Sequence, residues 1–248
     1  MMKSNAKKLA DIIRQSERMV IFTGAGVSTE SGISDFRSKG GVFEQIRNRY
    51  GLSPEEMLSI DFFHADTKLF YKIYRATFLG SNPKPNAAHR AFADLERRGI
   101  ARAVVTQNID DLHQRAGSKK VLELHGNMFR NICSSCGKGF GLEYVADPSM
   151  PVPKCDDCGG VVRPDVVLYG ESLDPDVMSE SARVISEADT LIVAGTSLRV
   201  YPAAGFINYF EGRSLVLINR DATPFDSSAS FVVRDNVGGI MEEAMKLL

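Results

Sequence analysis

The sequence predicts an α/β protein: a parallel sheet layered with helices, with a smaller cysteine-bearing unit set into it. Three observations predict this. Short apolar runs recur along the 248 residues and read as strands buried on both faces. Four of these runs end in small or polar residues: Gly24, the stretch from Gln107 to Asp110, the stretch from Gly195 to Ser197, and Asn219. All four cysteines fall in two close pairs, Cys133-x2-Cys136 and Cys155-x2-Cys158.

Taken in order, residues 6–14 place Leu9, Ile12 and Ile13 at helical spacing. Residues 19–23 form the first buried strand, and Gly24-Ala-Gly-Val-Ser-Thr follows at once. A glycine loop leaving a buried strand lets backbone amides approach a pyrophosphate. The fingerprint G-x-G-x-x-G fails here, because Thr29 takes the third glycine's place. The same glycines also suit a plain strand-to-helix turn. Residues 33–41 read as a loop over a site or as a solvated connection. Residues 54–59 and 62–79 read as helices, and the aromatics among 62–78 as a core or a small helical subdomain.

Residues 85–95 form a helix that ends at Arg97-Arg98-Gly99, with cations in the last turn and glycine beyond. His89 inside it reads as structural. A strand over 101–105 leads into Gln107-Asn-Ile-Asp110, and a short helix over 111–116 closes at Gly117. A strand over 121–124 delivers His125. Beyond the cysteines, 163–171 reads as a buried strand ending in a glycine turn, 175–187 as a helix and 190–194 as a strand. Residues 202–210 read as a helix, 214–218 as a strand, 231–233 as a short last strand and 237–248 as a closing helix.

A parallel sheet brings its strand ends to one edge, so the four small or polar ends predict a ligand site there. The paired cysteines have the spacing of a tetrahedral four-thiolate zinc site. Disulfides are the alternative, and close C-x-x-C pairs without a secretion signal argue against them. Four thiolates saturate zinc and leave no position for water. The metal is therefore expected to be structural, and a zinc-dependent hydrolase is excluded. The cysteine insert should form a separate small domain, with a cleft between the two.

Composition excludes other classes. The chain is 44% hydrophobic and 25% charged with a net charge of -1, so a nucleic-acid surface is not indicated. No apolar run spans a bilayer and no secretory signal is evident, so a cytoplasmic protein without membrane contact is expected. By pattern alone His125 and His113 are equal candidates for a reactive histidine.

The chain resembles the sirtuin family, the NAD-dependent protein lysine deacylases. The resemblance rests on Gly24-Ala-Gly-Val-Ser, Ser34-Asp-Phe-Arg37, Thr106-Gln-Asn-Ile-Asp110, Leu124-His-Gly126, the paired cysteines, Val167-Leu-Tyr-Gly-Glu171, Gly195-Thr-Ser-Leu198 and Ile218-Asn219. It implies a Rossmann-like domain over 1–40, 80–126 and 164–248. A helical insertion over 41–79 and a zinc-ribbon module over 127–163 would form the small domain, with NAD between the two. The resemblance implies cofactor contacts at Gly24, Ala25, Gly26, Thr29, Phe36, Arg37, Gln107, Asn108, Ile109, Asp110, His125, Gly195, Thr196, Ser197, Asn219 and Val237. No acid stands at the end of a second strand about 20 residues past the glycines, where a dehydrogenase holds its ribose, and by resemblance Asn219 takes that role.

The resemblance also implies the reaction. An acyl-lysine oxygen attacks the ribose carbon that bears nicotinamide, and His125 acts as general base through the ribose hydroxyls. Asn108 binds a ribose hydroxyl or water, and Ile109 and Asp110 hold the carboxamide. The acetyl-lysine peptide would add as a strand at Val167, Tyr169, Gly170, Glu171 and Ser172, with the Val167 carbonyl on the lysine amide. Zinc would sit on Cys133, Cys136, Cys155 and Cys158. Family members that take acidic acyl groups carry Tyr-x-x-Arg, whereas this chain has Tyr71-Lys-Ile-Tyr74 with Arg75 one residue on, which favours acetyl-lysine. A monomer is expected. Protein mono-ADP-ribosylation, or removal of longer or acidic acyl groups, is the nearest alternative, and a non-catalytic NAD or zinc-ribbon binding module is the alternative of another class.

Overall fold

The computed structural model describes residues 2–35, 40–80 and 82–248. Phe36 and Arg37 lie outside the described residues. Nine strands are described: β1 (Met19–Thr23), β2 (Ala101–Thr106), β3 (Val121–Glu123), β4 (Gly126–Cys133), β5 (Gly139–Phe140), β6 (Val162–Val166), β7 (Thr190–Ala194), β8 (Ser214–Ile218) and β9 (Phe231–Val233). Six form one sheet in the order β3-β2-β1-β7-β8-β9, and every neighbouring pair in it is parallel. The other three form an antiparallel sheet, β5-β4-β6.

The large sheet is covered on both faces, which explains its apolar runs. In β1, Met19 and Ile21 enter one core with Leu9, Ile13 and Phe92, while Val20 and Phe22 enter the other with Ile185 and Phe206. The first core packs under helices Met2–Arg14, Ala87–Arg97 and Val237–Met245. Helix Ala87–Arg97 starts on a capping box, Asn86 holding the amides of Ala88 and His89. The second core packs under helix Pro175–Ser186, which starts with Asp174 as cap and Pro175 in the first turn.

Chain order along this sheet reverses between β1 and β7. Such a switch point opens a crevice at the carboxyl ends of the strands. The loops that follow β1 and β7 therefore meet: the Gly26 N–H donates to the Gly195 carbonyl at 2.7 Å. A Cβ at Gly195, where φ is +62°, would stand 2.3 Å from the Val27 nitrogen. Glycine is required there on both steric and conformational grounds.

The small sheet packs against an aromatic cluster of Phe63, Phe70, Tyr71 and Tyr74, with Cys133, Cys155 and Val162 in the same core. The helical region over 41–79 is Val42–Tyr50, Pro54–Met57, Ile60–Ala65 and Thr67–Phe78. The sequence reading finds only the later part of it. Over 202–210 the expected helix is present as a 3-10 helix, Ala203–Tyr209. The apolar part of 163–171 also divides differently from the sequence reading. β6 pairs antiparallel with β4 in the small sheet, and residues 167–170 run on as irregular chain.

Candidate active site

A cleft of about 520 Å³ opens at the switch point. Its lining includes Gly24, Ala25, Gly26 and Thr29 after β1, and Gln107, Asn108 and Ile109 after β2. Gly195, Thr196 and Ser197 line it after β7, Asn219 after β8, and Val237 from the last helix. His125 lines it between β3 and β4, and Val167, Tyr169, Gly170 and Glu171 line it beyond β6. The structure thus brings together most residues singled out in the sequence. Asp110 and Ser172 are outside the lining, and Phe36 and Arg37 are outside the described residues.

His125 is half-buried. Its Nδ1 is 2.9 Å from the Gln107 carbonyl oxygen, which can only accept, so the ring donates from Nδ1 and keeps a lone pair on Nε2. Burial pushes its pKa below the usual histidine value, against the opposing pull of the Gln107 carbonyl. The imidazole is therefore neutral at pH 7, as a base must be. Its backbone carbonyl accepts from the Val167 N–H at 3.0 Å, which ties it to the segment beyond β6. The turn after it requires Gly126: φ is +75°, and a Cβ would stand 2.1 Å from the Asp165 carbonyl oxygen.

Asn108 is buried. Its Nδ2 donates to the Gly24 carbonyl at 3.2 Å and lies 3.2 Å from Ser28 Oγ, joining the β1 and β2 loops. Ser28 donates to Asp110 Oδ2 at 2.6 Å, and the Leu112 N–H donates to Asp110 Oδ1 at 3.0 Å. Burial raises the Asp110 pKa, and those two hydrogen bonds oppose the rise. Asp110 thus braces the loop from behind the cleft wall. Ser28 is a part of this network that sequence reasoning missed. Its signal was only its place in the quoted glycine motif. Gln107 Nε2 donates to Thr196 Oγ1 at 3.0 Å, linking the loops after β2 and β7.

The small sheet's core supplies an apolar stretch of the cleft wall through Tyr74, Phe78, Ile109, Val166 and Leu168. Tyr74 lines the cleft, whereas the Tyr71 hydroxyl donates to the Val162 carbonyl in the core. Arg75 donates to the carbonyls of Val145 and Met150, each at 2.7 Å, and is not in the lining. Glu171 forms a two-point ion pair with Arg163 at 2.6 and 2.7 Å and accepts from the Leu168 N–H, which shapes the turn at Gly170.

The four cysteine sulfurs lie within 4.8 Å of one another. Cys133 and Cys158 are 3.5 Å apart, and Cys136 and Cys155 3.7 Å. A tetrahedral ion with Zn–S bonds of about 2.3 Å sets its sulfurs about 3.8 Å apart. A disulfide needs about 2.05 Å. The residues fit a structural zinc ion, and the sequence's zinc ligands converge as expected.

A model of the Sir2 family matches residues 24–202. The NAD-dependent protein deacetylase of Clostridium acetobutylicum is 52% identical over 95% of this chain and 96% of its own length. That of Clostridium perfringens is 50% identical over 97% of this chain and 98% of its own. Among solved structures, a Sir2 homolog–NAD complex matches with a TM-score of 0.87 at 42% identity, covering 97% of this chain and 92% of that one. A Sir2 bound to acetylated peptide matches with a TM-score of 0.86 at 38% identity, covering 97% of each chain. The family resemblance in the sequence, the switch-point cleft and the four-cysteine cluster agree with these likenesses, and the chain belongs to the Sir2 family, the sirtuins.

Proposed function

We propose that this protein is an NAD-dependent protein lysine deacetylase, and that its two lobes divide as the sequence suggests. One would be a Rossmann-like lobe over 1–40, 80–126 and 164–248, the other a small lobe over 41–79 and 127–163. The observation that carries the functional reading is His125: a neutral imidazole with its proton on Nδ1, lining a cleft where four strand-end loops meet. The two separate sheets support the division, with β4 and β6 as the crossing between lobes.

When bound, NAD supplies an electrophilic ribose carbon with nicotinamide as its leaving group. The protein's part is to bind, orient and move protons. The Ala25 amide and the Thr196 hydroxyl, with Gly26, Thr29 and Ser197 beside them in the lining, suit a pyrophosphate at the switch point. Asn219 at the end of β8 suits the adenine ribose. Ile109, which lines the cleft, would face the nicotinamide, and Asp110 fixes the loop that carries it. Asn108 suits a ribose hydroxyl or an ordered water. With NAD bound, His125 Nε2 would accept a proton from the ribose hydroxyls as general base.

An acetyl-lysine peptide would lie along residues 167–172. That segment already joins His125 to Leu58 through the Val167 and Tyr169 amides, so an added strand would bridge the lobes. Among the described residues, the apolar wall of Tyr74, Phe78, Ile109, Val166 and Leu168 presents no cation, and Arg199 and Arg220 line the cleft elsewhere, which favours an acetyl group over an acidic one at that wall. Among the described residues no helix is long and apolar enough to cross a membrane.

The test is nicotinamide release from NAD with and without an acetyl-lysine peptide, in the natural protein and in His125→Ala. Release that needs the peptide, and is lost in the variant, supports the reading. Release without the peptide, with ADP-ribose appearing on protein, would replace it with ADP-ribosyl transfer.

A further inference from the structure

Behind the cleft loops runs a buried polar line for which the chemistry above has no use. His113 sits on the short helix Leu112–Ala116 and is 1% exposed. Its ring packs on His89 and Phe92, with centroids 4.8 and 6.1 Å away. Its Nε2 is 2.9 Å from Thr23 Oγ1. The Thr23 hydroxyl donates to Thr106 Oγ1 at 2.8 Å, and Thr106 Oγ1 also accepts the backbone N–H of Asn108 at 3.0 Å. Thr23 Oγ1 thus stands within hydrogen-bond distance of both His113 Nε2 and Thr106 Oγ1 and links the ring to the end of β2. Nδ1, the other ring nitrogen, has no hydrogen-bond partner among the described residues.

Thr23 and Thr106 are the last residues of β1 and β2. Their neighbours along each strand are apolar, and valine has the same shape as threonine. The hydroxyls are therefore the informative feature, and they lead to one place. Asn108 joins the glycine loop through its side chain, and the preceding residue, Gln107, offers the carbonyl that holds His125. The line ends on the Asn108 backbone N–H, a fixed donor, so what it supplies there is geometry.

We propose that His113 is a positioning residue for the deacetylation: its Nε2 holds the Thr23 and Thr106 hydroxyls so that the backbone at Gln107 and Asn108 keeps His125 and the Asn108 side chain in register. The proposal rests on the functional reading above. Activity of the natural protein on an acetyl-lysine peptide, and its loss in Asn108→Ala, test that reading separately.

The experiment is steady-state kinetics of the full chain with NAD and an acetyl-lysine peptide, with thermal unfolding measured beside it, for His113→Gln, His113→Leu, Thr23→Val and the Thr23→Val/His113→Leu pair. An ångström-scale displacement of a reacting group costs one to two orders of magnitude. His113→Leu is therefore expected to lower kcat about tenfold or more, with the peptide KM within about twofold. His113→Gln, whose amide N–H reaches the same place, should recover kcat to within about threefold of the natural protein. The paired variant should be no slower than its slower single. A kcat that follows only the folded fraction, a glutamine that fails to rescue, or losses that add in the pair would each overturn the proposal. If His113→Leu does not fold, Thr23→Val carries the test: an unchanged kcat in the folded variant overturns the proposal, and a fall of about tenfold supports it.

Discussion

His125 and Gln107 are joined through the histidine's Nδ1–H and the glutamine's carbonyl oxygen, 2.9 Å apart. The contact spans two loops, one after β2 and one between β3 and β4, and it decides which ring nitrogen is available. With Nδ1 committed to a carbonyl, Nε2 is the only basic atom. His125→Ala removes that atom without touching the glycine loop. It is expected to lower kcat by about 10²- to 10⁴-fold, the usual range for a general base. NAD affinity, read by calorimetry, should change little. Retention of more than about a tenth of the natural kcat would remove His125 from the role of base.

The zinc cluster should act on stability and not on chemistry. Metal analysis is expected to find one zinc per chain. Cys133→Ser should lower the unfolding temperature and the soluble yield, because Cys133 and Cys155 are buried in the core of the small sheet. A Cys133→Ser protein with unchanged stability and no activity would give the ion a different role.

Stability should fall with acid in a window set by two buried histidines. Burial and the neighbouring Arg90 push His89 down to about 4, and burial and His89 push His113 down to about 3. An unfolded histidine titrates near 6.5. Below that value the unfolded chain binds more protons than the native one, so stability rises with pH. The contribution is complete above about 6.5 and is lost as pH falls toward the native values. Two such groups give a slope of up to about 2.7 kcal/mol per pH unit. Urea midpoints at pH 7 and pH 5.5 measure it. In the His89→Gln/His113→Gln variant the slope should flatten. An equally steep fall would assign the acid sensitivity to other groups.

The switch-point loops should tolerate no side chain at Gly195. Gly195→Ala places a Cβ 2.3 Å from the Val27 nitrogen at a positive φ. The left-handed conformation costs about 1–2 kcal/mol and the overlap about 1–3 kcal/mol. Unfolding in urea should show a loss of about 2–5 kcal/mol, together with weakened NAD binding. A loss below about 1 kcal/mol would mean that the loops part easily and do not define the cleft.

The large sheet was legible because parallel strands buried on both faces leave unbroken apolar runs, and Met19–Thr23, Thr190–Ala194 and Ser214–Ile218 are such runs. The cysteines were legible because a four-thiolate site needs that local spacing. The small sheet was not. Gly126–Cys133 carries Asn127, Arg130 and Asn131, and it becomes a strand by pairing with Val162–Val166, about 30 residues on. Helix Val42–Tyr50 was hidden by its charged and polar residues, with only Val42 and Ile46 buried. His125 and His113 were indistinguishable by pattern. Burial separates them, because His113 is sealed against Thr23 while His125 lines the cleft. The inward turn of Asp110 toward Ser28 depends on loops 82 residues apart in the chain, and local pattern does not carry it.

The most direct measurement of the central claim is the product balance with an acetyl-lysine peptide and NAD, read by mass spectrometry. Nicotinamide, deacetylated peptide and O-acetyl-ADP-ribose are expected in equal amounts, formed at least about a hundredfold more slowly by His125→Ala. Free acetate with NAD unconsumed, or nicotinamide released without any loss of acetyl-lysine, would contradict it.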